Sequence, residues 1–409
     1  MTETKIVLTM IVKDEEHVIE RALNSCYKMI DSYCIVDTGS TDKTKEIIKT
    51  FFDSKGIDGK IIDFEFTNFE ECRNQSIEHA KDLGQYGFWM DADEQLVLDK
   101  TFNKTTLNQF IGINKPDQML IPCKYGGMRY SRAQFYRFDN DYYWYGPVHE
   151  VLQSKNHSKN VKIDFGHMLI TPDGNSWQMD DVSKKYEGHA EILLKYQDDN
   201  DWKDPRWTFY LAQSYRDAAN ILLQKDEKDE HGLKLCRKSI QYYTERTKVK
   251  THFIEEIYYS QLMIARLSYH INTQEFIFQH LLKCEEFNMT NRVEHLFNMT
   301  SFLQANNMHK NALIYLKLAL KYIKEGLKGE LFIEPFMYEW GVYDMYGVSL
   351  YYTGQKEKAL KYFKHALKKA KSDGNAGNTD IKRMSNNVES TEHELQRINS
   401  ENGKGSINI

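Results

Sequence analysis

A run of large apolar residues that stops at two acids, Gly87-Phe88-Trp89-Met90-Asp91-Ala92-Asp93-Glu94, constrains this chain more than any other stretch. Phe88-Trp89-Met90 is too apolar for an exposed edge and reads as the end of a buried strand. Ionised carboxylates are costly to bury unpaired, so Asp91 and Asp93 must face water, a cation or a hydrogen-bond donor. In an open α/β sheet, ligands bind in the crevice at the carboxyl ends of the strands. The alternative is a pair of surface acids that opens a turn.

The preceding residues supply the rest of such a sheet. Lys5 to Met10 reads as a buried strand, followed by Val18, Ala22, Leu23 and Cys26 at helical spacing behind the acidic cluster 14–16. Tyr33-Cys34-Ile35-Val36 is a second strand. After it Gly39 permits a tight turn, and Ser40, Thr41 or Asp42 caps a helix through Lys45, Ile47 and Ile48. Lys60 to Phe66 is a third strand, Phe69 to Ala80 a helix, and Phe88 to Met90 a fourth strand. This alternation predicts an α/β, Rossmann-like, mainly parallel sheet. Parallel strands bring Thr9, Glu15, Asp37, Asp91 and Asp93 to one edge. Singly, each reads as a helix cap; together they define a crevice.

Composition narrows the function classes. A chain of 409 residues holds two or three domains, and 41% hydrophobic with 28% charged residues suits a soluble globular protein. A net charge of −5 gives no basic footprint for nucleic acid. Six cysteines without a C-x-x-C pair argue against a zinc ribbon or disulfide framework and for a reducing compartment. The N-terminus enters a strand without an apolar leader, and no run of about 18 apolar residues exists to span a bilayer. A cytoplasmic protein without a transmembrane segment is expected.

After Thr171-Pro172-Asp173-Gly174-Asn175 strand-like runs disappear. We expect an α/β domain at 1–175, an all-α tetratricopeptide-like helical-repeat domain at 176–370, and a polar tail at 371–409. That tail carries a capping helix over Ser385–Ile398 and disorder beyond Ser400. A small–large–small pattern on the second helix of each repeat supports this: Gly232, Cys236, Ser239; Ile277, Leu281, Cys284; Ala312, Leu316, Ala319; and Ala359, Phe363, Ala366. Their starts lie 45, 35 and 47 residues apart, longer than the roughly 34 of an unbroken array. Insertions such as 225–231 account for the excess. Stacked pairs present a concave face for a partner or a second copy of the chain. Tyr242, Tyr243, Tyr258 and Tyr259 line that face or belong to the core.

Three blocks, Met10-Ile11-Val12-Lys13-Asp14-Glu15-Glu16, Ile35-Val36-Asp37-Thr38-Gly39-Ser40-Thr41-Asp42 and Asp91-Ala92-Asp93, match in order and spacing the xN-E-E, D-x-G-S-x-D and D-x-D signatures. The chain therefore resembles the family 2 glycosyltransferases of GT-A fold. Phe69-Glu70-Glu71-Cys72-Arg73-Asn74 is similar to an F-x-x-A-R-N element and Trp144-Tyr145-Gly146-Pro147-Val148-His149-Glu150 to a G-x-V-H-E element. These narrow the resemblance to the branch fused to tetratricopeptide-like repeats, as in bacteriocin S-glycosyltransferases. The resemblance covers about residues 4–175. Lys13-Asp14 stands where many members have Tyr-Asn, a departure at the base-binding edge.

The resemblance implies metal-dependent, inverting transfer from a nucleotide-sugar donor, a UDP-sugar, to a peptide, protein or glycan acceptor. It implies that Thr9, Glu15 and Asp37 line the base and ribose pocket and that Arg73 meets the base or diphosphate. Asp91 would touch the ribose or the metal, Ala92 would lie beside the donor, and Asp93 would ligate Mn2+ or Mg2+. Members of the fold often recruit a late histidine as a further metal ligand, which makes His149 and His167 candidates; a core histidine is the alternative for each. The repeats would bind the acceptor or form a homodimer.

The chemistry fits these residue types. Cleavage of a sugar–phosphate bond releases a nucleoside diphosphate, whose charge a divalent cation offsets, and carboxylate oxygen suits that cation. Inversion requires a base to deprotonate the acceptor. Glu150, at the end of a Gly-Pro turn, is the candidate; a salt bridge to Arg129, Arg132 or Arg137 is the alternative. Tyr125–Tyr130 and Phe135–Phe138 offer aromatic rings and arginines for a sugar or acceptor surface, or simply a strand with a buried face. A repeat scaffold that binds nucleotide-sugar without turnover is the competing function. Nucleotidyl transfer needs a Gly-rich phosphate loop, and residues 9–16 contain no glycine.

Overall fold

Alternating apolar and amphipathic runs set the first 170 residues as strands with helices packed over them. In the computed structural model the described residues are 4–125, 128–174, 181–200, 204–250, 253–373 and 376–404. They fall into two units, Met1–Gly232 and Leu233–Ile409. The first opens with β1 (Ile6–Val12), α1 (Ile19–Cys26), β2 (Ser32–Asp37), α2 (Thr44–Lys55), β3 (Gly59–Asp63), α3 (Phe69–Ala80) and β4 (Tyr86–Trp89). Then come β5 (Glu94–Leu98), α4 (Lys104–Asn114), β6 (Gln118–Tyr125), β7 (Met128–Arg137), β8 (Tyr142–Tyr145), β9 (Val151–Ser154), β10 (Asn160–Lys162) and β11 (Gly166–Ile170). The helices α5 (Ser183–Asn200) and α6 (Pro205–Lys225) complete the unit.

The main sheet runs β3-β2-β1-β4-β7-β6-β11-β5, with β10 beside β6, while β8 and β9 form a separate hairpin. β1 is parallel to β2 and β4, and β2 to β3. β7 is antiparallel to both its neighbours, and β5 is antiparallel to β11. This is the mainly parallel α/β layer that the sequence predicts. Ile19, Ala22, Leu23 and Cys26 of α1 are buried beneath the sheet, with Phe52, Phe88 and Phe135 in the same core.

Several boundaries shift. β1 continues to Val12, two residues past the expected end, so Thr9 is a mid-strand residue. β3 stops at Asp63; Phe66 leaves the sheet and packs edge-on against Phe69. Phe135 and Phe138 are core, and Arg137 is bound to Asp117 and Asp139. The break expected at 175 falls among residues 175–180, outside the described set. The last strand ends at Ile170 and the next helix begins at Ser183, whereas the contact boundary lies at Gly232.

The second unit is all-helical, as expected. After α7 (Glu230–Lys248), which begins at the boundary, come α8 (Ile254–Leu267), α9 (Gln274–Glu286), α10 (Glu294–Ala305) and α11 (His309–Glu325). They are followed by α12 (Val342–Tyr352), α13 (Lys356–Asp373) and α14 (Asn378–Lys404). The pattern residues Cys236, Leu281, Leu316 and Phe363 are buried, the last three on the second helices of the pairs α8–α9, α10–α11 and α12–α13. A Cβ on Gly347 would meet the Phe363 ring at 2.6 Å, so the glycine lets α12 approach α13. Tyr243, Tyr258 and Tyr259 are core rather than surface. The capping helix extends well beyond Ser385–Ile398, packs on α13 and reaches Lys404; residues 405–409 lie outside the described set. Among the described residues no helix is long and apolar enough to cross a membrane.

Candidate active site

At the carboxyl edge of the parallel strands lies a cavity of about 1220 Å³, lined by Glu15, Thr38, Arg73, Asp91, Ala92, Asp93, His149 and Glu150 among others. Seven of the ten residues singled out in the sequence therefore meet in one place. The other three, Thr9, Asp37 and His167, do not line it. Thr9 is buried within the layer, its hydroxyl 3.0 Å from the Tyr136 hydroxyl. Asp37 is buried at the end of β2 and folds its own turn: Oδ1 accepts from the backbone N–H of Gly39 (3.0 Å) and Ser40 (2.8 Å). Gly39 has φ +103°, which favours glycine. His167 pairs with Val97, three positions along β11 from the Ile170–Glu94 pair. At about 3.3 Å per residue it stands roughly 10 Å from the acids' end of the strand.

Two motifs read separately in the sequence bind each other here. The α3 element Phe69–Asn74 holds the Trp144–Glu150 loop at four points. Phe69 N–H donates to Pro147 O (3.1 Å), and Glu70 Oε2 accepts from Gly146 N–H (2.6 Å). Asn74 exchanges hydrogen bonds with the Trp144 backbone (2.8 and 2.9 Å). Arg73 Nε donates to Glu150 Oε1 at 2.5 Å. Gly146 has φ +113°, and a Cβ there would collide with the Trp207 indole, so this turn demands glycine twice over.

Arg73 is the centre of the arrangement. Its Nη2 donates to Asp91 Oδ1 at 2.7 Å, so one guanidinium joins the strand-end acid to Glu150. The guanidinium lies over Trp89 and Trp144, 4.9 Å from each ring centroid. Glu150 does form an ion pair, with Arg73 rather than with Arg132 or Arg137; the Arg129 side chain lies outside the described set. Arg132 instead binds Glu94 (2.7 Å to both oxygens), and Glu94 Oε2 accepts from Asp91 N–H (3.2 Å). Glu94 was not singled out in the sequence; its place two residues before Leu96, on the same face of β5, is the signal that points to its burial.

Electrostatics divide the acids. Burial opposes the charge on Asp91, yet the Arg73 and Arg132 guanidiniums hold it below the ordinary carboxylate value. Burial, then Asp91, Glu94 and Glu15, push Asp93 up to about 7. Such gathered negative charge is relieved by a cation. Among the described residues no three His, Cys, Asp or Glu side chains hold an ion alone. Mg2+ needs only one or two carboxylates beside waters and phosphates, so Asp91 and Asp93 fit it as a donor set. His149, in the left-handed region at φ +54°, stacks on Tyr210 (centroids 4.3 Å apart), and burial takes its imidazole down to about 3, which keeps it neutral.

One wall was not foreseen. Lys185, Tyr186 and His189 of α5, and Arg206, Tyr210, Gln213 and Asp217 of α6, line the same cavity. They follow the break at 175 and read as part of the repeats.

A mainly parallel sheet thus carries an acidic strand edge over a large cavity. Residues 8–102 match glycosyl transferase family 2. Over 260 residues the chain is 25% identical to the SPbeta prophage-derived glycosyltransferase SunS of Bacillus subtilis (strain 168), which covers 62% of this chain and 57% of that protein. The match thus spans little more than half the length of that relative. A TPR repeat-containing protein of Synechococcus elongatus is 29% identical over 156 residues, 36% of this chain and 35% of that one. Among solved structures, S. aureus TarS 1-349 is similar at 17% identity and a TM-score of 0.34, over 69% of this chain and 90% of that one.

Proposed function

We propose that this chain is a metal-dependent inverting glycosyltransferase that moves a sugar from a UDP-sugar to a peptide, protein or glycan acceptor. The observation that supports it most is the Arg73 bridge between Asp91 and Glu150 at the edge of the cavity. It fixes a carboxylate suited to donor binding and a carboxylate suited to proton removal within one rigid group. The match of residues 8–102 to glycosyl transferase family 2 and the similarity to a glycosyltransferase point the same way.

In this reading Glu15 and Thr38 face the nucleoside, and Asp91 and Asp93 hold Mn2+ or Mg2+. The ion, when bound, offsets the charge that grows on the departing diphosphate. Glu150 takes the proton from the acceptor as its lone pair forms a bond to the anomeric carbon. The carbon–oxygen bond to phosphate breaks on the opposite face, and its electrons leave with the nucleoside diphosphate. Arg73, which lines the cavity, orients Glu150 and Asp91 and meets the base or the diphosphate of the donor. The helical unit supplies acceptor or homodimer contacts, in a reducing cytoplasm that suits six buried, free cysteines.

A thermal-shift screen of nucleotide-sugars with Mn2+ tests the donor reading, because a ligand stabilises the state it binds. A UDP-sugar at 100 times its Kd raises stability by about 2.7 kcal/mol, a shift of several degrees. No shift with any nucleotide-sugar or nucleoside diphosphate contradicts it.

A further inference from the structure

Buried polar atoms in folded proteins nearly always have hydrogen-bond partners, and exceptions call for an explanation. Among the described residues three of the exceptions belong to residues that line one wall of the cavity: His189 (Nδ1) on α5, and Arg206 (Nε) and Gln213 (Oε1) on α6. Gln213 is 7% exposed and lines the cavity. The wall also includes Tyr186, while the Tyr210 ring is already covered by His149 and the Arg206 guanidinium.

The three atoms specify a ligand. Arg206 Nε–H only donates, Gln213 Oε1 only accepts, and the His189 nitrogen does either according to tautomer. A phosphate or carboxylate would leave Gln213 Oε1 unsatisfied, and an apolar group would leave all three so. Hydroxyl groups both donate and accept, and the Tyr186 ring suits the apolar face of a sugar ring.

Position decides which sugar. Lys185, one helical turn before His189, stands in the field of Asp93, Asp91 and Glu15. Arg206 Nη2 donates to His149 O at 3.3 Å, the carbonyl just before Glu150. The wall therefore adjoins both the acids proposed to hold the diphosphate and the proposed base, which is where the transferred ring must lie. We infer that His189, Arg206 and Gln213 form the subsite for the donor's pyranose and set which hydroxyl pattern the enzyme accepts. The inference rests on the donor reading above.

Calorimetric titration of wild type, Gln213→Leu and His189→Phe with UDP, UDP-glucose and UDP-N-acetylglucosamine, all with Mn2+, tests it. Both variants should keep UDP affinity within about twofold, which also certifies their fold. Both should lose about tenfold or more for the UDP-sugar that wild type prefers, the loss of one or two buried hydrogen bonds. Retained UDP-sugar affinity overturns the subsite and assigns the wall to an acceptor sugar or to no ligand. An equal loss for UDP and UDP-sugar overturns it as well, since the wall then serves the nucleotide or the fold. A wild type that binds neither UDP nor a UDP-sugar sinks the donor reading itself.

Discussion

Asp93→Asn lowers transfer turnover by roughly 10²-fold to 10³-fold or more, the scale on which a single electrostatic stabiliser of a transition state acts, while the folded chain stays at least as stable as wild type. The two halves of this result have one cause. In the absence of ligand, burial and the charges of Asp91, Glu94 and Glu15 work against the Asp93 carboxylate. Removing its charge relieves that repulsion, so the fold loses nothing by the change. During transfer the same carboxylate would face a divalent cation and a departing diphosphate, and its charge becomes an asset. Steady-state kinetics with a Mn2+ titration, beside chemical denaturation, check both halves. Full activity of Asp93→Asn, or wild-type activity in excess chelator, removes the metal from the mechanism.

Arg73→Met has the opposite profile: it destabilises the chain by about 3–5 kcal/mol, the usual cost of removing one partner of a buried ion pair, and abolishes transfer as well. The Arg73 side chain is 7% exposed and Glu150 12%. Its loss leaves two carboxylates without their donor and removes the cation that packs on the Trp89 and Trp144 rings. Arg73→Lys restores only part of the stability, because an ammonium lacks the fork that reaches Asp91 and Glu150 at once. Pairing Arg73→Met with Glu150→Gln neutralises one stranded carboxylate. The double variant is therefore more stable than the sum of the single effects, a coupling that denaturation of the four proteins measures directly.

Much of this was legible before any coordinates. Asp91 and Asp93 declare themselves because three large apolar residues precede them, and buried Cys236, Leu281, Leu316 and Phe363 follow from small–large–small spacing. Thr9 was misplaced because periodicity locates a strand but not its last residue; two further residues of pairing turned a strand end into a strand middle. His167 was a family expectation, and antiparallel pairing with β5 carries it away from the acids. Both the F-x-x-A-R-N and G-x-V-H-E elements were visible, but the hydrogen bonds that join them span 70–78 positions. No local rule reports such a contact. Gly146 shows why: its necessity depends on Trp207, a residue of α6. The same applies to the α5–α6 wall, whose helical pattern tells which face is apolar but not which cavity it closes.

The most direct test of glycosyl transfer is the release of nucleoside diphosphate from UDP-sugars by the purified chain, with and without Mn2+, beside Glu150→Gln. The account predicts metal-stimulated UDP release by wild type, and a Glu150→Gln variant that binds the donor as tightly yet transfers nothing to an acceptor. Metal-independent behaviour, with no nucleoside diphosphate released from any donor, would contradict it and leave a nucleotide-sugar-binding scaffold in its place.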